Sequence, residues 1–221
     1  MHPIRPLTLL TLGILSTCAQ AVLVLDSFSG SSIGNSSASG PTAGFFIPGS
    51  FADRETAFDF HTGSDAVWLN QLDIAVAVGN HTTAVEASIT TGNSAPGSNP
   101  VSIGSFTPAN PTPTIQTISF QPAANTVLLA PNTRYWVHLT VSSGAGLYTL
   151  TYSDTQNNAP GWLLDETWAY TPPGAIPPTG WNQDATSGVA KVRLDATQVP
   201  EPSAALIGSV GLFFLIRRRK P

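Results

Sequence analysis

Apolar and polar residues alternate along much of this chain, and that pattern predicts β-strands. Strand Arg134–Val141 places Tyr135, Val137, Leu139 and Val141 on one face. Its other face carries Arg134, Trp136, His138 and Thr140. Nine further segments are predicted strands: Val22–Phe28, Glu55–Phe60, Trp68–Val78, Ala84–Thr90, Val101–Phe106, Ile115–Phe120, Thr126–Leu129, Leu147–Tyr152 and Val189–Leu194. Gly, Asn and Pro separate these segments, and no helical periodicity of useful length occurs. We therefore predict an all-β fold, an antiparallel β-sandwich or jelly-roll-like single domain over residues 22–198.

Composition narrows the class of partners. The 221 residues are 42% hydrophobic and only 10% charged, which excludes a solvated helical bundle and disorder throughout the chain. Residues 22–202 contain all 13 Asp and Glu but only four of the nine Lys and Arg. So few basic residues disfavour a polyanion, and we predict no nucleic-acid partner. The other basic residues lie near the two ends, which indicates that the ends have separate functions.

Residues 1–21 have the pattern of a secretory signal peptide. A short basic segment precedes the apolar stretch Leu7–Leu15, and Ala19 and Ala21 occupy positions −3 and −1 of a cleavage site. We expect a signal helix that directs export by the Sec machinery and is removed after Ala21. Cys18 is the only cysteine, so the mature chain would contain no disulfide. Lipoprotein processing at Cys18 is the alternative, although the residue before it is bulkier than such processing prefers.

Residues 199–221 combine three features in order. They are the motif Val199, Pro200, Glu201 and Pro202, the apolar stretch Ala204–Ile216, and the basic tail Arg217, Arg218, Arg219 and Lys220. As a helix the apolar stretch is about 20 Å long, which is less than the thickness of a hydrocarbon core, about 30 Å. The positive-inside rule predicts that the basic tail stays in the cytoplasm, with the body outside the inner membrane. An ordinary tail-anchoring helix is the alternative.

This C-terminal segment resembles the PEP-CTERM sorting signal of bacterial surface proteins. The resemblance implies recognition of the tail by an exosortase, a membrane transpeptidase-like enzyme that cuts near the motif. The product would be released or transferred to the cell surface, commonly in bacteria that make extracellular polysaccharide.

The body resembles the choice-of-anchor domain family, type R, over most of Phe46–Ala196. The resembling elements are Asn132–Val137, Gly161-Trp162, Trp181 and Lys191–Leu194. The resemblance implies a β-rich domain that carries a PEP-CTERM tail or another anchor. It implies location and architecture and no particular reaction.

Four aromatic residues within twenty positions are candidates for ligand stacking: Trp162, Trp168, Tyr170 and Trp181. Exposed rings of this kind stack on sugar faces, so they would suit a carbohydrate platform. Aromatic side chains also bury large areas, and packing in the core or under the intervening proline-rich loop is the favoured alternative.

Catalytic signals are weak, and we predict no catalytic residue. Gly30, Ser32 and Gly34 match the G-x-S-x-G nucleophile elbow, but they lie in a Ser/Gly-rich loop of an all-β chain. Asp165 and Glu166 are adjacent, so on a strand they would point to opposite faces and would not form a facing glycosidase pair. We interpret them as solvated turn acids.

No metal site and no cofactor are predicted either. The histidines at positions 61, 81 and 138 are too scattered to indicate zinc, and no ligand motif accompanies them. Structural calcium through Asp26, Asp53 and Asp195 is conceivable, but their spacing does not select them.

Two functions are consistent with these patterns. The first is an exported, non-enzymatic cell-surface or extracellular-matrix protein that is transiently anchored in the inner membrane and associates with exopolysaccharide. The alternative is a secreted β-sandwich hydrolase or carbohydrate-binding module acting on a glycan, with Asp165, Glu166 or Ser32 in the site. Two carboxylates in a cleft, roughly 5–10 Å apart, would favour the hydrolase, and a flat aromatic strip would favour binding.

Overall fold

The computed structural model describes residues 20–30, 32–33, 44–46, 55–78, 84–107, 115–141, 147–170, 180–185 and 188–199. These residues form antiparallel β-strands and contain no helix, which confirms the predicted all-β class for this part of the chain. The strands are β1 (Ala21–Asp26), β2 (Ser32–Ile33), β3 (Gly44–Phe46), β4 (Thr56–His61), β5 (Val67–Val78), β6 (Val85–Thr91), β7 (Val101–Phe106), β8 (Ile115–Phe120), β9 (Leu128–Leu129), β10 (Arg134–Val141), β11 (Leu147–Leu150), β12 (Tyr152–Ser153), β13 (Leu163–Tyr170), β14 (Asn182–Ala185), β15 (Val189–Ala190) and β16 (Val192–Gln198).

A seven-stranded sheet is organised around β5, the longest strand. One edge of β5 pairs with β16, which in turn pairs with β1, and β11 followed by β3 continues this sheet. Strands β9 and β8 also pair with β5. A long apolar strand that is paired along both edges satisfies its backbone polar groups while it is buried, which explains its place at the centre.

A six-stranded sheet has the order β14-β13-β4-β10-β6-β7. Strands β4 and β10 lie in its middle, in a register that pairs Phe60 with Tyr135 and Asp59 with Trp136. A third, small sheet has the order β15-β12-β2.

The two larger sheets contribute to one hydrophobic core. Leu72 and Ile74 of β5 belong to the same buried cluster as Phe58 and Phe60 of β4 and Val137 of β10, and each of the five is at most 1% exposed. Two antiparallel sheets that share one core form a sandwich-like arrangement. The opposite face of the six-stranded sheet carries polar groups together with a few buried apolar residues, such as Ala57 and Trp136.

Alternation predicts several strands with their observed bounds, namely β7, β8 and β10. It does not predict β13 or β14, which form one side of the six-stranded sheet. Strand β13 is irregular, because three residues, Asp165 to Thr167, lie between the positions that pair with successive core residues of β4.

Residues Ala21–Val199 form one compact unit. Ala21 pairs with Thr197, so the first and last long strands of this unit lie side by side, and the Val199 amide donates a hydrogen bond to the Ala66 carbonyl. The other unit, Met1–Gln20 with Pro200–Pro221, lies outside the described residues except for Gln20. The predicted signal helix, Ala19, Pro200–Pro202, the sorting helix and the basic tail therefore lie outside them as well. Among the described residues no helix is long and apolar enough to cross a membrane.

Candidate functional site

Charged side chains gather on the outer face of the six-stranded sheet, which is turned away from the main core. The alternation that directs Phe58 and Phe60 of β4 inward directs Asp59 and His61 outward. On the adjacent strand β10, Arg134 lies on the same outer face. Because neighbouring strands are about 4.8 Å apart, long side chains on this face reach one another across the sheet.

Four of these side chains form one network, which we call the Asp59 cluster: Asp59, His61, Arg134 and Asp165. Arg134 donates from Nε to Asp59 Oδ2 at 2.5 Å, and its Nη2 lies 3.5 Å from Asp165 Oδ2. His61 Nε2 lies 3.1 Å from that same Asp165 oxygen. The Asp59 side chain is fully buried, whereas those of His61 and Asp165 are 40% and 25% exposed. Solvent therefore reaches the cluster from the side of His61 and Asp165.

Burial dominates the electrostatics of Asp59. It raises the pKa of Asp59 from 3.8 to about 7; the hydrogen bond and charge of Arg134 lower this pKa, while the neighbouring carboxyl group of Asp165 raises it. One carboxylate oxygen, Oδ1, is buried without a hydrogen-bond partner among the described residues. A buried carboxylate with an unpaired oxygen disfavours the charged form of Asp59.

The pairing of β13 with β4 places Asp165 in this cluster, at the start of a bulge in β13. Leu164 pairs with Phe60 and Trp168 pairs with Phe58, so Asp165 to Thr167 lie opposite the single residue Asp59. The extra residues keep Leu164 and Trp168 in the core while the Asp165 carboxylate is directed to the outer face. Bulges that re-aim a side chain are frequent next to functional sites.

A small apolar cluster lies beside the charged one on the same face. It contains the fully buried residues Ala57, Trp136 and Ala169, with Trp181 packed against them. The Arg134 guanidinium lies 5.0 Å from the centre of the Trp136 ring, and it also donates to the Asn93 carbonyl. Trp136 Nε1 donates to the Gly92 carbonyl at 3.1 Å. Arg134 thus joins the charged and the apolar clusters.

His138 and Glu55 form a second histidine–carboxylate contact further along this face. His138 Nε2 lies 2.9 Å from Glu55 Oε2, and Trp181 meets the imidazole ring edge-on with centroids 5.0 Å apart. His61 and His138 therefore lie on one face but contact different carboxylates, while His81 lies outside the described residues.

The structure places the predicted stacking residues differently from one another. Trp162 and Trp168 are 9% and 4% exposed and belong to the main core, where Trp162 stacks on Phe60 at 6.1 Å between centroids. Core neighbours cover the rings of Trp162 and Trp168, so these two residues pack in the core and do not present a face to a ligand. Trp181 is half-buried at the outer face, and the side chain of Tyr170 lies outside the described residues.

The interpretation of Asp165 and Glu166 as turn acids is wrong, because both lie in β13. Glu166 is exposed, whereas Asp165 faces Asp59 of the neighbouring strand instead of its own sequence neighbour. A carboxylate pair therefore exists, but between residues more than a hundred positions apart. Ser32 lies in the two-residue strand β2, paired with Ser153, and its side chain lies outside the described residues.

Of the conceivable calcium ligands, the described Asp26 and Asp195 are not part of a metal-binding group. Asp26 and Asp195 lie on the adjacent strands β1 and β16 near Arg193, whose Nε is 3.9 Å from Asp26 Oδ1. Burial, followed by the charge of Asp73, raises the pKa of Asp195 above its ordinary value of 3.8. Asp53 lies outside the described residues. Within the described part of the chain, Asp59, His61 and Asp165 are the only group with metal-binding geometry.

Sequence reasoning missed Asp59 and Arg134 as site residues. Two signals were present: Asp59 and His61 are two positions apart on one strand face, and Arg134 lies on the polar face of its own strand. A comparison of the chain with protein-family models and with curated proteins finds no match.

Proposed function

We propose that this chain is an exported, non-enzymatic bacterial protein of the cell surface or extracellular matrix, sorted by its C-terminal segment. The Sec machinery would export it, and an exosortase would process it at the motif Val199–Pro202. The body, a jelly-roll-like sandwich between a signal helix and a sorting helix, would be anchored in the inner membrane only transiently. It would then associate with exopolysaccharide.

The agreement between the compact unit and the sequence signals supports this proposal most strongly. The unit extends from Ala21 to Val199, and the predicted end segments are residues 1–21 and 199–221. A body with its own core loses few contacts when such segments are removed. The last hydrogen bond that joins the end of this unit to its core neighbours is made by the Val199 amide, immediately before Pro200.

Mass spectrometry of the cell-surface fraction tests the processing. We expect a chain that begins at Val22 and ends between Val199 and Pro202. The variant Glu201→Gln should reduce processing, because it changes the motif and no residue of the described body. Glu166→Gln is the matched control, since it makes the same substitution elsewhere in the chain. Recovery of membrane-embedded protein that still ends at Pro221 would contradict the proposal.

The association with exopolysaccharide rests on Trp181. Among the described members of the aromatic set it is the residue with a partly exposed ring, and it lies on the face that carries the partly exposed groups of His61, Arg134 and Asp165. An aromatic face beside charged donors and acceptors suits a polar ligand with apolar ring faces.

Binding of the full-length protein, in detergent, to the producer's exopolysaccharide tests this step. We expect Trp181→Ala to weaken binding about tenfold, while Trp68→Ala, a half-buried tryptophan on the seven-stranded sheet, leaves it unchanged. Equal losses in both variants, or no binding by the unaltered protein, would remove the association from the proposal.

The hydrolase is the second candidate, and the carboxylate pair of Asp59 and Asp165 favours it. The raised pKa of Asp59, about 7, suits a general acid. Full burial of Asp59, however, keeps its carboxyl group from direct contact with a substrate. Measuring reducing ends in the same binding assay distinguishes the two functions: release that disappears in Asp165→Asn would favour the hydrolase.

A further inference from the structure

We propose that Asp59, His61 and Asp165 form a binding site for one divalent transition-metal ion, with Zn²⁺ as the ion that their donor atoms favour. This inference is independent of export, sorting and exopolysaccharide binding. It concerns the Asp59 cluster alone.

The first support is the convergence of three donor groups. One potential ligand atom from each of the three side chains lies within 4.8 Å of the others. Ligands on a tetrahedral zinc ion lie about 3.3 Å apart, as follows from metal–ligand distances of about 2.0–2.1 Å. Side-chain rotations that move these atoms by about 1–2 Å, which staggered rotamers supply, would close that gap.

The second support is the unpartnered oxygen of Asp59. The Asp59 side chain is fully buried, and its Oδ1 atom accepts no hydrogen bond within the described part of the chain. Buried polar atoms in proteins almost always have a partner. An unpaired carboxylate oxygen that lies near two other potential ligand atoms therefore indicates a bound ion as the missing partner. Both contacts of Asp165 use Oδ2, as does the Arg134 contact of Asp59.

The backbone around the site points in the same direction. Asp59 and His61 are fixed two positions apart on the central strand β4, and the pairing of β13 with β4 brings Asp165 against them. Ligands on paired strands are held more rigidly than ligands on loops. The partly exposed side chains of His61 and Asp165 give an ion access from solvent, and three protein ligands leave a position for water.

The donor set selects the class of ion. Two carboxylates and one imidazole suit Zn²⁺ and Mn²⁺, whereas Ca²⁺ prefers six to eight oxygen ligands. Arg134 supplies the positive charge beside these carboxylates in this structure. The 3.5 Å contact of Arg134 with Asp165 is longer than its contact with Asp59. When an ion binds to the carboxylates, the Trp136 ring and the Asn93 carbonyl would still hold the guanidinium.

Isothermal titration of the full-length protein with Zn²⁺, in detergent and after treatment with a chelator, tests the proposal. We expect one ion per chain and an increase in Tm. His61→Gln and Asp165→Asn should each weaken binding at least tenfold. His138→Gln is the matched control, because His138 also pairs with a carboxylate but is not a member of the three-donor group.

A spectroscopic readout separates ligation from a general effect on stability. Co²⁺ bound at this site should give visible absorption bands that disappear in His61→Gln and persist in His138→Gln. The partly exposed His61 keeps this test usable if Asp165→Asn fails to fold. Absence of Zn²⁺ binding, binding that neither variant weakens, or binding of Ca²⁺ in preference to Zn²⁺ would overturn the proposal and leave the cluster as an ion-pair network.

Discussion

Arg134 makes several contacts at once, and they explain how the fully buried carboxylate of Asp59 is accommodated on an outer face. Its planar guanidinium contacts Asp59 and Asp165, lies over the Trp136 ring and donates to the Asn93 carbonyl. A lysine at this position would supply one compact charge and would not make the same set of contacts. The residue thus matters for its geometry as well as for its charge.

Gly161 is the second residue whose identity is required by its position in the fold. It has a positive φ of 80°, and the Trp162 amide donates to the Ala159 carbonyl at 3.0 Å, which defines a turn with Pro160 and Gly161 at its centre. This turn delivers Trp162 to the core next to Phe60.

Gly161→Ala should therefore lower the free energy of unfolding by about 1–2 kcal/mol. A side chain is strained at this φ, and its Cβ would lie 3.2 Å from the Cα of Gly63. Urea-induced unfolding of the full chain measures the effect. Gly180→Ala is the control, since a Cβ there meets nothing within 4 Å. Similar stabilities of the two variants would show that the turn is not strained by alanine.

Among the elements, β10 is buried on both faces near its middle, as is its neighbour β4. Tyr135, Val137 and Leu139 face the main core, while Trp136 on the opposite face is 0% exposed and packs with Ala57 and Ala169. A strand in this position holds the six-stranded sheet together from both sides, which fits its central place between β4 and β6.

Trp136→Ala should cost about 3–5 kcal/mol of stability, because it leaves a large cavity under Arg134 and removes the hydrogen bond to Gly92. Chemical denaturation monitored by circular dichroism measures this. Thr140→Ala, on the same strand and half-buried, is the matched control and should change stability by less than about 1 kcal/mol. A loss in Trp136→Ala as small as that of the control would mean that the outer-face cluster contributes little.

Strand β13 shows why alternation fails to predict some elements. Leu164 and Trp168 are both buried, but Glu166, which a period of two would also direct inward, is exposed because the bulge lies between the two core residues. Alternation therefore does not reveal it, whereas β8 and β10, which pair without a register shift, are predicted with their observed bounds. Strand β7 is also predicted with its bounds, although its pairing with β6 contains a register shift. The bulge that hides the strand from prediction begins at Asp165, the residue that lies next to Asp59.

Over the whole molecule, the compact unit begins and ends on neighbouring strands. Strand β1 pairs with β16, and β16 pairs with the central strand β5, so the last long strand lies between the first and the middle of the sheet. Loss of β16 would separate β1 from the sheet. A processing cut therefore has to fall after Gln198 to leave these pairings intact, which is where the proposed sorting motif begins.

The small number of charged residues leads to a different conclusion once their positions in the folded chain are known. The Asp59 cluster brings together three of the 22 charged residues and one of the four histidines. Along the sequence, the scarcity of charge argues against a site. In the folded chain, the few charged residues on the outer face of the six-stranded sheet are concentrated.

The all-β class, many of the strands and the inward or outward direction of their side chains follow from the sequence alone, because these depend on the local period of two. The alternation of Phe58 and Phe60 and the polar face of β10 place Asp59 and Arg134 outward, without indicating that they meet. The order of the strands, the pairing of β13 with β4 that places Asp165 by Asp59, and the contrast between the buried Trp162 and Trp168 and the partly exposed Trp181 emerge only in the folded chain. Contacts between residues about a hundred positions apart depend on sheet order and register, which the packing of the whole core selects and no local pattern encodes.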